Sequence, residues 1–280
     1  MSKKIIISTY TGSLTRLGTP ELVVDALKEG GFSHFDFTMM FPILGFELFY
    51  NSDNYLEKAK NFRKYIDSIG MHCNQTHGAV PCMFENMSKD DANQLFENVK
   101  RTIEVSHVLG AKCCVLHPAI DCSMEDNIEF FNKLKDIARK NDIIIAIENT
   151  MCEKMFGKPQ DFKTLLNALN DPHFKMCLDI GHAEVTNSGS SAVEFIEELG
   201  KDIVCLHIHD NNKTQDLHQL PFTTSIEFPK IFDALKKNGY SGDIIFECGT
   251  FMNNMPVSLF IDNLKFLHDV GEYFAKQIFE

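Results

Sequence analysis

Eight short apolar runs, each followed by an amphipathic stretch, repeat along this 280-residue chain and restrict what it can fold into. The runs are Ile5–Thr9, His34–Met39, Met71–His77, Lys112–His117, Ile143–Glu148, Lys175–Asp179, Ile203–Ile208 and Asp243–Cys248. The spacing predicts helices over Pro20–Glu29, Tyr55–Ile69, Lys89–Leu109, Glu125–Lys140, Asp161–Leu169, Ser191–Leu199, Phe228–Lys237 and Pro256–Phe274. In the third of these, Leu95, Val99, Ile103 and Val105, with Val108 and Leu109, recur at helical spacing. Gly30, Gly70, Gly110, Gly200 and Gly239 stand where helices end, and Pro20 follows Thr19 as a first-turn proline follows an N-cap. Strands that are apolar throughout, rather than at every second residue, belong to parallel sheets covered on both faces. Eight such repeats in a chain of this size predict one α/β domain over residues 1–280, a closed (β/α)8 barrel. An open doubly wound sheet would want a glycine-rich phosphate loop after its first strand. Thr11-Gly12-Ser13-Leu14-Thr15 carries no such pattern.

In a barrel, the loops after the strands lie on the face that carries chemistry. Three of them are long: Met40–Asn54, with Phe41, Phe46, Phe49 and Tyr50, then Gly78–Met87 and Met151–Pro159. Several strands also end on a metal-type ligand: His117, Glu148, Asp179, His207 with His209, and Glu247. Side chains alternate along a strand, so parity decides which of these share a face. Ala146 with Glu148, Cys177 with Asp179, Cys205 with His207 and Ile245 with Glu247 all point inward on one scheme. Three converging carboxylates repel one another and raise their own pKa values unless a cation joins them. Three hard oxygens suit Mn²⁺ or Mg²⁺, and one imidazole also admits Zn²⁺, Co²⁺ or Fe²⁺. His77, His117, His182, Asp216 and His218 form a wider shell of the same character. His34, His72, His107, His173 and His268 fall outside the scheme and read as structural or surface residues.

The formal charge of −12, with Arg16, Arg63, Arg101 and Arg139 scattered, disfavours a nucleic-acid partner. Lys158 and Lys213 read as solvated loop lysines, with phosphate contact as the alternative. Nine cysteines without a CxxC pair read as reduced thiols of a cytoplasmic protein. The Lys4-to-Ile7 start is too short for a secretory leader, and no apolar run reaches the roughly 20 residues of a membrane span.

The ordered pieces Gln75-Thr76-His77-Gly78, Leu116-His117-Pro118, Ile147-Glu148-Asn149-Thr150, Leu178-Asp179-Ile180-Gly181-His182, His207-Ile208-His209-Asp210-Asn211, Asp216-Leu217-His218 and Phe246-Glu247 resemble the xylose-isomerase-like TIM barrel superfamily. They are closest to its sugar phosphate isomerase/epimerase members, which include ketose 3-epimerases. The resemblance runs from strand three to strand eight. It implies a divalent metal ion held by Glu148, Asp179, His207 and Glu247, and a small sugar, sugar phosphate or polyol as substrate. Glu148 and Glu247 would move protons through an enediolate, with His182, His77, His117 and His209 binding the substrate. An inosose-dehydratase-like lyase is a neighbouring chemistry, and a homo-oligomer is compatible with such barrels. The superfamily also holds endonuclease IV, a three-zinc AP endonuclease, whose ligand pattern would fall on His77, His117, Glu148, Asp179, His182, His207, Asp216, His218 and Glu247. Against that alternative, the stretch after His218 is Gln-Leu-Pro-Phe-Thr-Thr rather than a glycine-bearing loop, and Asp179 is followed by Ile-Gly rather than Thr-Cys.

Overall fold

The computed structural model describes residues 5–40, 49–80 and 82–280. Among them the chain forms β1 (Ile7–Thr9), α1 (Pro20–Glu29), β2 (His34–Thr38), α2 (Tyr55–Ile69), β3 (His72–His77), α3 (Lys89–Leu109), β4 (Cys113–Leu116), α4 (Met124–Asn141) and β5 (Ile144–Glu148). The second half adds α5 (Pro159–Leu169), β6 (Phe174–Asp179), α6 (Ile180–Glu184), α7 (Ala192–Leu199), β7 (Ile203–His207), α8 (Phe228–Lys237), β8 (Ile244–Phe246) and α9 (Phe260–Phe279). Local chemistry accounts for most boundaries. Thr19 caps α1 by accepting the Leu22 N–H, and Ser123 and Ser191 open α4 and α7 with reciprocal capping boxes. Gly70 and Gly110 end α2 and α3 in the left-handed conformation, at φ 73° and 83°. Gly30 also ends α1, but at φ −71°, and the next residue, Gly31, takes the left-handed turn. A Cβ on Gly30 would stand 2.5 Å from Leu264 Cβ, so this glycine serves the close approach of α1 to α9.

Strands β2 to β7 form one parallel sheet in sequence order, and β1 pairs in parallel with β8. Two narrow seams join these pieces into a closed barrel. At one, Tyr10 bridges Asp36 and the Thr11 N–H donates to Asp36 O at 2.9 Å. At the other, Ile208 bridges Phe246 and its N–H donates to Ile245 O at 2.9 Å. The register slips once between β6 and β7, after which Cys177 faces Cys205 and Asp179 faces His207. This slip puts all four side chains in step on the inner face.

Two apolar clusters result. The large one, with Phe35, Phe62, Phe131, Phe162, Phe195, Phe228 and Phe274, fills the shell between strands and helices. The small one, Cys113, Val115, Ala146, Cys177, Cys205 and Ile245, packs the barrel interior beneath its mouth. All nine cysteines are free thiols, and among the described residues no helix is long and apolar enough to cross a membrane.

Three expectations differ in detail. Helix α6 is absent from the helices that the spacing predicts; it forms because Asp179 accepts the His182 N–H at 2.7 Å and starts a helical turn. The last helix begins at Phe260 rather than Pro256, after a 3-10 turn over Val257–Leu259, and runs on to Phe279. Most of the aromatic Met40–Asn54 loop, including Phe41 and Phe46, lies outside the described residues, as does Pro81 of the Gly78–Met87 loop.

Candidate metal centre

Four strand exits deliver Glu148, Asp179, His207 and Glu247 to one point. One donor atom from each lies within 4.8 Å of the others, and all four side chains are buried. His207 Nδ1 lies 3.1 Å from Glu247 Oε2, 3.4 Å from Glu148 Oε1 and 3.9 Å from Asp179 Oδ2. Three of the inward-facing atoms, Glu148 Oε1, Asp179 Oδ2 and His207 Nδ1, make no hydrogen bond. Buried polar atoms without partners are costly, each about 1–3 kcal/mol or more for charged groups. Three carboxylate oxygens and one imidazole nitrogen aimed at a common centre fit a divalent ion of the Mn²⁺, Mg²⁺, Co²⁺ or Zn²⁺ kind.

The charges at the site are unusually biased. Burial would push the Glu148 carboxyl up, but His207 and His117 outweigh it and hold Glu148 well below the usual carboxylate range. Burial also works against ionised Glu247, yet His207 and then His218 bring its pKa down to about 2. The same contacts read from the other side raise His207 well above its ordinary value, through Glu247 and Glu148, against the burial that would lower it. Both glutamates are therefore ionised at neutral pH, the state in which a carboxylate binds a cation or accepts a proton.

The wider shell also converges, as two further donor groups. His77 Nε2 and His117 Nε2 lie 3.3 Å and 3.0 Å from Glu148 Oε2, with the two rings 4.9 Å apart. His182, His209, Asp216 and His218 form the second group. There, His218 Nε2 is 2.9 Å and His182 Nε2 3.4 Å from Asp216 Oδ2. Asp216 holds His218 up to about 9 against the effect of burial. His218 adopts φ 46°, a left-handed conformation, and its Nδ1 sits 2.7 Å from Glu247 O. Every expected site residue thus lies in one connected cluster. His117 and His182 line the open cavity with Glu148, Asp216, His218 and Glu247, whereas His77 and His209 lie beneath its floor.

Three contributors escape a reading of strand ends alone. Asp36 in β2 and Gln75 in β3 stand behind His207: Gln75 Nε2 donates to Asp36 Oδ2 at 2.8 Å and lies 2.9 Å from His207 Nε2. Asn149 clamps Asp179 from both sides, donating to its carbonyl at 2.9 Å and accepting its N–H at 2.7 Å. The signal for Asp36 and Gln75 is inward parity with Thr38 and His77, and for Asn149 its place directly after Glu148.

The cavity above the cluster has a volume of about 700 Å³. Its floor is polar, and Met83, Pro118, Ala119, Ile120 and Met151 form an apolar wall. Among the described residues that line it there is no lysine or arginine.

Fold and site together define a parallel (β/α)8 barrel with a carboxylate–histidine centre at the C-terminal mouth of its strands. A family model described as "Xylose isomerase-like TIM barrel" matches residues 24–269, and the chain belongs to that family. Two solved structures cover the whole barrel. One, a D-tagatose 3-epimerase-like protein, is 16% identical with a TM-score of 0.76, covering 98% of each chain. The other, an L-ribulose 3-epimerase, is 14% identical with a TM-score of 0.74, covering 97% of this chain and 95% of that one. In sequence, the chain is 25% identical over 162 residues to an uncharacterised protein of Methanocaldococcus jannaschii, a match covering 54% of this chain and 55% of the relative. The matched stretch therefore spans just over half the length of that relative.

Proposed function

We propose that this protein is a divalent-metal-dependent isomerase or epimerase of a small, uncharged polyol such as a keto sugar. The observation that carries the reading is the buried donor set of Glu148, Asp179, His207 and Glu247 at the floor of an open cavity, three of whose inward atoms make no hydrogen bond. A resident dication there would supply Lewis acidity toward a substrate carbonyl. Glu148 and Glu247 are the proton carriers: one, ionised, takes the proton from the carbon beside the carbonyl, and the other, first protonated by a neighbouring histidine or by water, returns one to the opposite face or the neighbouring carbon. His182 and His117, both on the cavity wall, hold substrate hydroxyls. The apolar wall keeps water from competing for those contacts. Structural neighbours described as ketose epimerases support this class of reaction.

The lining argues for an unphosphorylated substrate. Four acids, Asp121, Glu148, Asp216 and Glu247, face the cavity, and among the described lining residues no lysine or arginine offers a phosphate the paired donors it favours. The two candidate phosphate lysines are paired elsewhere, Lys158 with Glu153 at 3.1 Å and Lys213 with Glu184 at 3.8 Å. A second reading, a three-zinc phosphodiesterase, has one observation in its favour: the donor atoms fall into three neighbouring groups. The same cation-poor cavity and the net charge of −12 oppose it, because a nucleic-acid backbone is bound through lysine and arginine.

The test is a panel of ketoses, their phosphates and inositol derivatives in D₂O, with the protein loaded by Mn²⁺ or Co²⁺. Deuterium entering a carbon-bound position of an unphosphorylated substrate supports the assignment. Glu148→Gln and Glu247→Gln should each reduce that exchange by about 10²-fold or more. Full exchange in both variants would refute the two-glutamate scheme, and three tightly bound zincs with cleavage of abasic DNA would establish the alternative.

A further inference from the structure

His209 sits where no substrate reaches it. Its side chain is fully buried beneath the floor of the cavity and stacked on His218, with ring centroids 4.0 Å apart and 16° between planes. The imidazole is pressed against the backbone of Gly181. A Cβ at that glycine would stand 1.8 Å from His209 Cε1, 2.2 Å from Nε2 and 2.4 Å from Nδ1. Gly181 lies in helix α6 and is not among the residues of positive φ, so its conformation alone does not call for glycine. Space for the imidazole does.

The ring so placed reaches two carboxylates. His209 Nε2 lies 3.1 Å from Asp179 Oδ1 and 3.5 Å from Asp216 Oδ1, ion-pair distances at which neither ring nitrogen makes a hydrogen bond. Asp179 Oδ1 already accepts the His182 backbone N–H at 2.7 Å, while Asp179 Oδ2 has no partner and faces the other donors of the centre. The two oxygens of this carboxylate are therefore in different circumstances: one is engaged from behind, the other is free toward the centre. The local chain is tied in the same sense, since Asn211 Nδ2 donates to Gly181 O at 2.7 Å and couples the exits of β6 and β7.

We infer that His209 is a positioning residue, admitted by the missing side chain at Gly181, whose ring backs Asp179 Oδ1 at ion-pair distance and so presents Asp179 to the metal through Oδ2. Removing the imidazole leaves Oδ1 held by the His182 N–H alone, and Asp179 can then turn relative to the ion. This inference rests on the metal-centre reading proposed above, and the experiment separates the two.

Chelator-treated wild type, Gly181→Ala, His209→Phe and His209→Gln are titrated with Mn²⁺ by calorimetry and with Co²⁺ by visible absorption. His209→Phe keeps a flat ring against Gly181 and His218 but offers no N–H, and His209→Gln restores a donor. Loss of such a supporting contact typically weakens metal affinity 10–100-fold, so Gly181→Ala and His209→Phe should bind Mn²⁺ at least 10-fold more weakly than wild type. Their Co²⁺ bands should shift as Asp179 changes its mode of ligation, and His209→Gln should return both readouts most of the way. Wild-type affinity together with a wild-type Co²⁺ spectrum in His209→Phe overturns the inference. If the wild type itself takes up neither ion, the metal-centre reading fails along with it, which the variant comparison alone cannot produce. Should Gly181→Ala fail to fold, the two His209 variants decide.

Discussion

Glu148 stands against four histidines of the site, and its replacement gives the clearest test that one cation joins the donors. Its oxygens lie 3.0 Å from His117, 3.3 Å from His77, 3.3 Å from His182 and 3.4 Å from His207, at 1% exposure. An ion that binds only the folded chain adds about 4.1 kcal/mol of stability at a concentration 1,000 times its Kd. For a 280-residue chain the unfolding entropy is about 0.59 kcal/mol per kelvin at roughly 2.1 cal/mol/K per residue. The wild type should therefore melt ~7 °C higher when the chelated protein is reloaded at that concentration. Glu148→Gln removes a ligand oxygen's charge, and a Kd weakened about 100-fold leaves only ~1.4 kcal/mol from the same ion concentration. That corresponds to a rise of ~2 °C. Differential scanning calorimetry with and without ion, each variant compared with itself, cancels whatever the substitution does to the metal-free protein. An equal rise in wild type and Glu148→Gln would refute the claim that Glu148 shares an ion with its neighbours, and no rise in either with Mn²⁺, Mg²⁺, Co²⁺ or Zn²⁺ would remove the metal centre altogether.

Two further outcomes test the rest of the fold. A thiol reagent should label at most two cysteines of the native protein, Cys152 and Cys122, against nine after denaturation. Cys122 should be the slower, because burial and then Asp121 hold its thiol up to about 11, and rapid labelling of a third thiol would contradict the packed barrel interior. At the base of the barrel, burial would raise Asp171, but the His173 N–H at 3.0 Å and Arg139 at 2.6 Å lower its pKa below the ordinary value. Its contribution to stability is thus present above about pH 4 and lost as pH falls further. Asp171→Asn should flatten the acid limb of stability against pH, measured by urea denaturation, and an unchanged acid limb would deny the pairing any role.

The barrel was legible because its strands are covered on both faces and its helices on one, so two periodicities alternate without ambiguity. The convergence of Glu148, Asp179, His207 and Glu247 followed from parity and strand ends, since a closed parallel barrel brings the ends of all strands to one rim. What parity could not show is depth. His209 shares its strand exit and its parity with His207, yet it turns under the floor because Gly181, on another strand's helix, leaves room there. Nor does sequence show which polar residues support the ligands, since Asn149 and Gln75 are ordinary loop and strand residues until the chain closes on them. Helix α6 was hidden for a related reason: its glycine reads as a breaker, whereas Asp179 caps a helical turn in which that glycine is a packing requirement.

The two seams that close the barrel bear on how the molecule comes apart. Among the described residues, strands β1 and β8 pair with each other and meet the remaining sheet at two short seams, the Tyr10–Asp36 and Ile208–Phe246 bridges. Glu247 lies just beyond β8, whereas Glu148, Asp179 and His207 belong to the continuous sheet. A cation shared by these four would act as a rivet across the weaker joint, so amide protons along β1 and β8 should exchange with solvent fastest in chelator and slow down most when the ion returns.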